Sequence, residues 1–294
     1  MAQTLSVVGQ LSAIGIDYEV ELVPVVSAGD TDARPLSVIG ERGIFASALE
    51  QALLAGTIDA AVHSCKDLAL DDTPGLTLAC VPFREDPRDV LCGAAMSVDE
   101  LPQGARIATG SARRSASLRT LRPDLTPVEI RGNVATRLTR TVERGDDACM
   151  LAAAGLNRLD LRASAGGFAL DFDQVVPEAG QGIVVVQTRA GDDAVRWDAI
   201  DDHAIRWAMD VERSVAKALG GGCEHPVGVH VDLTDRDAQD TADVYAFIAP
   251  SPADRGVIVT ARIPGGPGSD VQNATKTIVE LVRRAAVVNR EEAR

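Results

Sequence analysis

Residues 106–140 read RIATGSARRSASLRTLRPDLTPVEIRGNVATRLTR, and this stretch decides the fold. Two short apolar runs, IAT and VEI, each pass through a glycine turn into a helix-forming segment. That alternation of strand and helix predicts an α/β domain with a mostly parallel sheet. The stretch holds eight arginines (106, 113, 114, 119, 122, 131, 137 and 140) against two acids, Asp124 and Glu129. Its formal charge is +6 in a chain of −14, so the remainder carries −20. The arginines gather at the two strand-to-helix junctions, where backbone N–H groups at a helix start already favour anions. Arginine offers a planar fork of donors that suits carboxylate and phosphate. A solvated helix face would also carry arginines. An adjacent pair and a spaced pair, pointing several ways, fit a multiply anionic ligand better.

The 294 residues suggest about two domains by length, and 46% hydrophobic with 24% charged residues describes a globular protein. Aromatics make up 3%, so the core must be built from Ala, Val, Leu and Ile. No apolar run approaches the roughly 18 residues of a membrane span, and the start lacks the pattern of a signal peptide. Five cysteines (65, 80, 92, 149 and 223) at scattered spacings argue against a disulfide framework and for a cytoplasmic location. Of 29 basic residues three are lysine, which together with abundant Asp gives a hydrated, self-repelling surface like those of proteins from a salt-filled cytoplasm. Nucleic-acid binding is disfavoured by that charge, and the basic stretch holds no aromatic for base stacking.

In chain order, residues 3–14 read as a helix and 18–25 alternate as a strand. Residues 40–56 read as a helix with Phe45, Leu49 and Leu53 on one face and Gly56 as C-cap. A buried strand at 57–64 delivers Cys65, Lys66 and Asp67 to its C-terminal end, where ligands bind in open α/β sheets. Another strand follows at 76–81, and 84–89 is a crossing segment. Three strand–helix units begin at Ile107, Val128 and Ala148, and the strand GIVVVQTR then returns to the first domain. A helix at 201–219 ends in Gly220, Gly221 and Gly222, followed by three strands (227–233, 243–249, 256–263) and a helix at 271–288. The predicted organisation is a first α/β domain (1–86 with 183–200), a second, arginine-rich one (87–182), and an α+β domain (201–294).

Two further residues carry chemical interest. Asp67, at a strand terminus beside Lys66, could be half of an ion pair; in an arginine-lined cleft it would be the one acid near the ligand. Cys223 follows three glycines, whose loop lets the backbone approach another group, and an exposed thiol there could be a nucleophile or an attachment point. The pairs His63/Cys65 and Cys223/His225 lack zinc spacing, so no metal is expected. No phosphate-binding loop is present, and GQG at 180–182 is too short for a dinucleotide fingerprint.

The segments IDAAVHSCKDL (58–68), REDPRDVL (84–91), IATGSARR (107–114), RPDLTPVEIRGNVATRL (122–138), AAAGLNRL (152–159), PEAGQGIVVV (177–186) and ERSVAKALGGGCEHPVG (212–228) together resemble the hydroxymethylbilane synthase, or porphobilinogen deaminase, family. The resemblance implies two α/β domains like those of periplasmic binding proteins plus a small α+β domain. It implies a transferase of tetrapyrrole biosynthesis with a dipyrromethane cofactor on Cys223; a monomer is the default expectation. Four porphobilinogens are added in turn, each losing ammonia, and water releases the linear product. Arg113, Arg114, Arg131, Arg137 and Arg158 would hold acetate and propionate groups, with Thr109, Ser111 and Asn133 as polar helpers. Asp67 would contact pyrrole nitrogens, help ammonia depart and stabilise the azafulvene cation; Lys66 and Gln181 would share the cleft. Arg42 and Phe45 match a basic and an aromatic residue that meet the substrate.

The family opens with a strand and a T-R-x-S segment ahead of its first helix, whereas Met1 aligns inside that helix. The resemblance therefore implies a first sheet short of a central strand, poor folding and reduced activity. From other classes, a non-catalytic polyanion binder would keep the arginines without needing Cys223 or Asp67. A cysteine hydrolase would need a histidine against Cys223, and His225 is too near in sequence to serve.

Overall fold

The strands that read as apolar runs pair into three sheets. A computed structural model describes residues 1–15, 18–25, 44–221, 225–233 and 241–292. In chain order its elements begin with α1 (Ala2–Ala13), α2 (Ile44–Leu54), β1 (Ala60–Ser64), a 3-10 turn (Cys65–Asp67), β2 (Leu76–Arg84), β3 (Asp89–Gly93), β4 (Arg106–Ala108) and α3 (Ala112–Leu121). They continue with β5 (Thr126–Val128), α4 (Val134–Arg144), β6 (Ala148–Ala152), α5 (Ala153–Arg158), α6 (Arg162–Ala165), β7 (Phe168–Ala169) and β8 (Ile183–Arg189). The last are α7 (His203–Ala218), β9 (Val227–Asp232), β10 (Thr241–Ile248), β11 (Val257–Pro264) and α8 (Val271–Glu292). The mixed α/β class expected from the sequence is what forms.

The first sheet has the order β1-β8-β2, with β8 antiparallel to both neighbours. Its centre is the late strand, so the chain does return here after the second sheet. Alternation along β8 sends Val184 and Val186 towards Val7 of α1, and Ile183 and Val185 towards Ile205 and Met209 of α7. Helix α2 packs Leu53 against Ile58, Ala61 and Leu76, and Gly56, at φ 71°, closes its end as predicted.

The second sheet has the order β5-β4-β6-β3-β7. The three units read from the sequence form its parallel part, β5-β4-β6, whereas β3 runs antiparallel to β6 and β7. The sheet is therefore mixed, because the crossing segment delivers β3 from the first sheet in the reverse sense. Leu91, Ile107 and Met150 fill one face; Val90, Cys149 and Leu151 fill the other. The third sheet, β11-β10-β9, is antiparallel, and α7 and α8 cover it with Val211, Val215, Ile278 and Val282.

Residues 18–25 do not form the expected strand. Among the described residues no strand pairs with them, and Val20, Leu22 and Val23 stay exposed. Alternation marks which side chains share a face, but a strand also needs a neighbour to take its N–H and C=O groups. Tyr18 ties this segment to the first domain through its hydroxyl, which accepts from the Arg196 N–H at 3.2 Å.

Candidate active site

Strand β1 ends at Ser64, and the 3-10 turn that follows buries Cys65, half-buries Lys66 and exposes Asp67. The turn is fixed from beneath by Gly180, whose φ is 75°. A Cβ there would lie 2.6 Å from Cys65 Sγ and 3.0 Å from its Cβ, so no other residue fits. Next to it Gln181 is fully buried, and its Nε2 donates to Pro87 O at 2.7 Å and Asp89 Oδ1 at 3.0 Å. The 177–182 segment thus ties the Lys66–Asp67 turn to the start of β3.

The arginines enter from the second sheet. Arg158, at the end of α5, donates from Nη1 to Ser64 Oγ at 3.3 Å and from Nη2 to Gly182 O at 3.2 Å. Burial lowers its pKa, while Glu85 and Asp67 oppose the shift. Arg137, in the first turn of α4, has its pKa drawn down to about 10 by burial and then by the neighbouring Arg114 and Arg131, with Asp67 opposing. Lys66 also falls below its ordinary value: burial acts first, Asp67 opposes it, Arg114 adds to it, and Glu178 and Asp89 resist. Asp67 therefore feels Lys66, Arg137 and Arg158 together. Burial leads both shifts; among the charges, acids prevail around Lys66, whereas Arg114 and Arg131 add to the shift at Arg137.

The adjacent arginines occupy a different place from the rest. Arg113 and Arg114 are 3% and 6% exposed and meet on Asp89, which is 0% exposed. Arg113 Nη1 lies 2.8 Å from Asp89 Oδ2 and donates to Val176 O at 2.7 Å. Arg114 donates to Asp89 Oδ1 from Nη2 at 2.7 Å and from Nε at 3.1 Å, and its Nη1 reaches Met150 O at 3.0 Å. Burial raises the Asp89 carboxyl; Arg113 and Arg114 outweigh that and hold it far below the usual carboxylate range. Arg113 keeps two buried donors, Nε and Nη2, without a partner.

The two strand-to-helix junctions lie side by side: a Cβ on Gly110 would come 2.9 Å from Ile130 O. Ser111 caps α3 by accepting from the Arg114 N–H at 3.4 Å, and Asn133 caps α4 by accepting from the Thr136 N–H at 2.9 Å. Thr109 is buried, and its hydroxyl accepts from the Ser111 N–H at 3.2 Å. Arg131 at the second junction is held by Glu129 at 2.7 Å. Arg42 and Cys223 lie outside the described residues. Phe45 sits on α2, with its side chain outside the described residues too.

Two acids that sequence reading passed over organise this site. Asp89 opens an otherwise apolar strand, a position where a carboxylate needs a partner. Glu212 falls on the inward stripe of α7 between Ala208, Met209 and Val215, and is 0% exposed. It meets Arg84 Nη1 at 2.7 Å and accepts from the Gly180 N–H at 2.7 Å and the Val231 N–H at 2.8 Å. Each signal was present, as an acid inside an apolar pattern.

An α/β scaffold that gathers lysine and arginine around one exposed carboxylate defines an enzyme for small, multiply anionic substrates. The family described as "porphobilinogen deaminase, dipyromethane cofactor binding domain" matches residues 1–197. A porphobilinogen deaminase of Roseiflexus castenholzii is 44% identical over 232 residues, covering 78% of this chain and 76% of its own length. One from Leifsonia xyli is 44% identical over 254 residues, 83% of this chain and 76% of its own. Likeness to solved structures is weaker: the ligand-binding component of an ABC-type import system from Staphylococcus aureus shares 15% identity at a TM-score of 0.38, over 73% of this chain and 69% of that one. The chain belongs to the porphobilinogen deaminase family. It is a transferase of tetrapyrrole biosynthesis that uses a dipyrromethane cofactor.

Proposed function

We propose that the chain acts as a hydroxymethylbilane synthase, condensing four porphobilinogens on a covalent primer and releasing the linear tetrapyrrole with water. The observation that carries this reading is the exposed Asp67 carboxylate within electrostatic reach of Lys66, Arg137 and Arg158. A polyanion binder would use the cations and gain nothing from an acid among them.

The residues fit a dipyrromethane bearing several carboxylates. Arg113 offers two buried donors without acceptors, and Arg137 is crowded by Arg114 and Arg131 in a way that added negative charge would relieve. In this reading Cys223 bears the group, Arg113, Arg114, Arg131 and Arg137 hold its carboxylates, and Thr109, Ser111, Asn133 and Gln181 shape the surrounding surface. The cofactor supplies the carbon nucleophile that primes chain growth. Arg158, Arg42 and Phe45 position the incoming substrate. In each addition a C–N bond breaks, a C–C bond forms, and the displaced ring proton leaves with ammonia. Asp67 accepts from the pyrrole N–H and stabilises the positive charge that develops as ammonia departs, while Lys66 orients Asp67.

The three sheets correspond in this reading to three domains, 1–86 with 183–200, 87–182, and 201–294. The enzyme works as a cytoplasmic monomer without nucleic-acid or membrane partners. No helix among the described residues is long and apolar enough to cross a membrane.

Intact mass of the purified protein beside Cys223→Ala tests the reading. The expected result is an increment equal to a dipyrromethane on the parent and none on the variant. A parent of bare mass that also fails to load when supplied with porphobilinogen would overturn it.

A further inference from the structure

Arg158 reaches across from the second sheet to the first, and two side chains beside it have no part in the reaction described above. The arginine ends α5, and its two terminal nitrogens donate to Ser64 Oγ at the end of β1 and to Gly182 O just before β8. Gly182 O also accepts the Glu85 N–H at 3.1 Å, so one carbonyl carries both the arginine and the crossing segment. Gly182 has a φ of 85°, and a Cβ there would lie 2.3 Å from Glu85 O, which leaves room for glycine alone. Glu85 Oε1 accepts twice, from the Asp86 N–H at 2.9 Å and from Asn157 Nδ2 at 3.1 Å. Asn157 is the residue before Arg158 in the last turn of α5.

Helix α5 is six residues long, and its N-cap, Ala152, gives no side-chain hydrogen bond. So short a helix does not hold its own end in place; its contacts do. Leu156 anchors one side in the apolar layer beneath. The Glu85–Asn157 bond anchors the end that carries Arg158, at the edge of the cleft, with Glu85 half-buried and Asn157 exposed. Glu85 is also the charge that acts most on Arg158, ahead of Asp67, and it resists the lowering that burial imposes. An arginine side chain gives up much rotamer freedom when it binds. Fixing its base and its tip beforehand removes part of that cost.

We propose that Glu85 and Asn157 are positioning residues, whose hydrogen bond sets the end of α5 and so the place where Arg158 meets the carboxylate of an incoming pyrrole. The inference rests on the substrate-holding role given to Arg158 above. Neither residue touches the substrate, and both act through Arg158. An acid beside a carboxylate-binding arginine would otherwise only repel the substrate, and the two roles predict opposite outcomes.

The probe is a pyrrole that bears acetate and propionate but no aminomethyl group, so that it binds and cannot condense. Titration calorimetry on the purified full chain reads its Kd without turnover. The expected Kd rises roughly ten-fold in Glu85→Ala and in Asn157→Ala. Glu85→Gln keeps an acceptor oxygen for Asn157 Nδ2 and stays within about two-fold of the parent. Arg158→Ala weakens binding at least as much as Glu85→Ala, and combining the two adds little. That non-additivity is what positioning through Arg158 requires, and a general loss of stability does not produce it. Parental affinity in Glu85→Ala, tighter binding in Glu85→Ala, or full additivity with Arg158→Ala overturns the proposal. Parental affinity in Arg158→Ala removes the substrate role of Arg158 and overturns the proposal with it. Condensation of porphobilinogen is measured separately; a parent that binds the probe without condensing porphobilinogen sinks the synthase reading, while the Kd series still decides the positioning.

Discussion

Two aspartates of this protein have opposite duties, and substitution should separate them. Asp89 is enclosed with Arg113, Arg114 and Gln181 and never meets solvent. Asp89→Ala strands two buried guanidiniums, which typically costs about 3–5 kcal/mol. Urea unfolding should show that loss; a change below about 1 kcal/mol would mean the arginines find other partners. Asp67 is exposed on its turn. Asp67→Asn should leave unfolding nearly unchanged and lower kcat roughly a hundred-fold or more. Single-turnover ammonia release measures it, and an unchanged rate removes Asp67 from the chemistry. The sequence showed which residues carry charge but not how the charges divide. Arg113 and Arg114 read as ligand donors from a helix start rich in arginine, and the sequence did not show that they also pair with Asp89. Their partner Asp89 lies 25 residues away from Arg114, on another strand, where no local pattern links them.

At the scale of elements, periodicity was a good guide wherever a buried face existed. The stripe of α7 and the apolar runs of β1, β6 and β8 were all legible for that reason. Residues 18–25 had the alternation but no partner strand among the described residues, and the mixed sense of the second sheet depended on where β3 enters. Pairing is a property of neighbours and leaves little mark on a single strand's sequence. Asn133 illustrates how an element constrains a site. Resemblance implies a polar helper for ligand, and its side chain also caps α4 through the Thr136 N–H at 2.9 Å. Asn133→Ala should cost about 1 kcal/mol in unfolding, and Asn133→Ser should restore most of it. Equal stability in all three proteins would show that the cap contributes nothing. Because α4 carries Arg137 in its first turn, fraying there should also raise KM more than it lowers kcat.

Across the whole molecule, one carboxylate joins all three sheets. Glu212 on α7 binds Arg84 of the first sheet, Val231 of the third, and Gly180 in the segment that returns from the second. His230 Nδ1 stands 3.4 Å from the same carboxylate, with its imidazole kept neutral by burial and then by Arg84. Burial would raise the Glu212 pKa; Arg84, followed by His230, outweighs that and holds it down to about 2, against an ordinary 4.5. A carboxyl depressed in the folded state adds stability above its unfolded pKa and loses it as pH falls towards the folded one. The contribution should therefore be whole at neutral pH and fade from 4.5 downwards. Lowered in the folded chain, the His230 pKa adds a second loss of the same sign that begins higher, near its ordinary 6.5. Glu212→Gln cancels the titration of Asp89 and the other acids, which is alike in parent and variant; His230, which touches Glu212, does not cancel and shifts with the substitution. Glu212→Gln should be the less stable protein at neutral pH because Arg84 is left without its counter-charge. The gap should narrow by about 1 kcal/mol as pH drops from about 6 to about 3.5, because Glu212 of the unfolded parent takes up a proton in that range while the folded carboxylate stays ionised. Urea midpoints at a series of pH values measure the gap, and a gap of constant size would show that Glu212 does not titrate with folding.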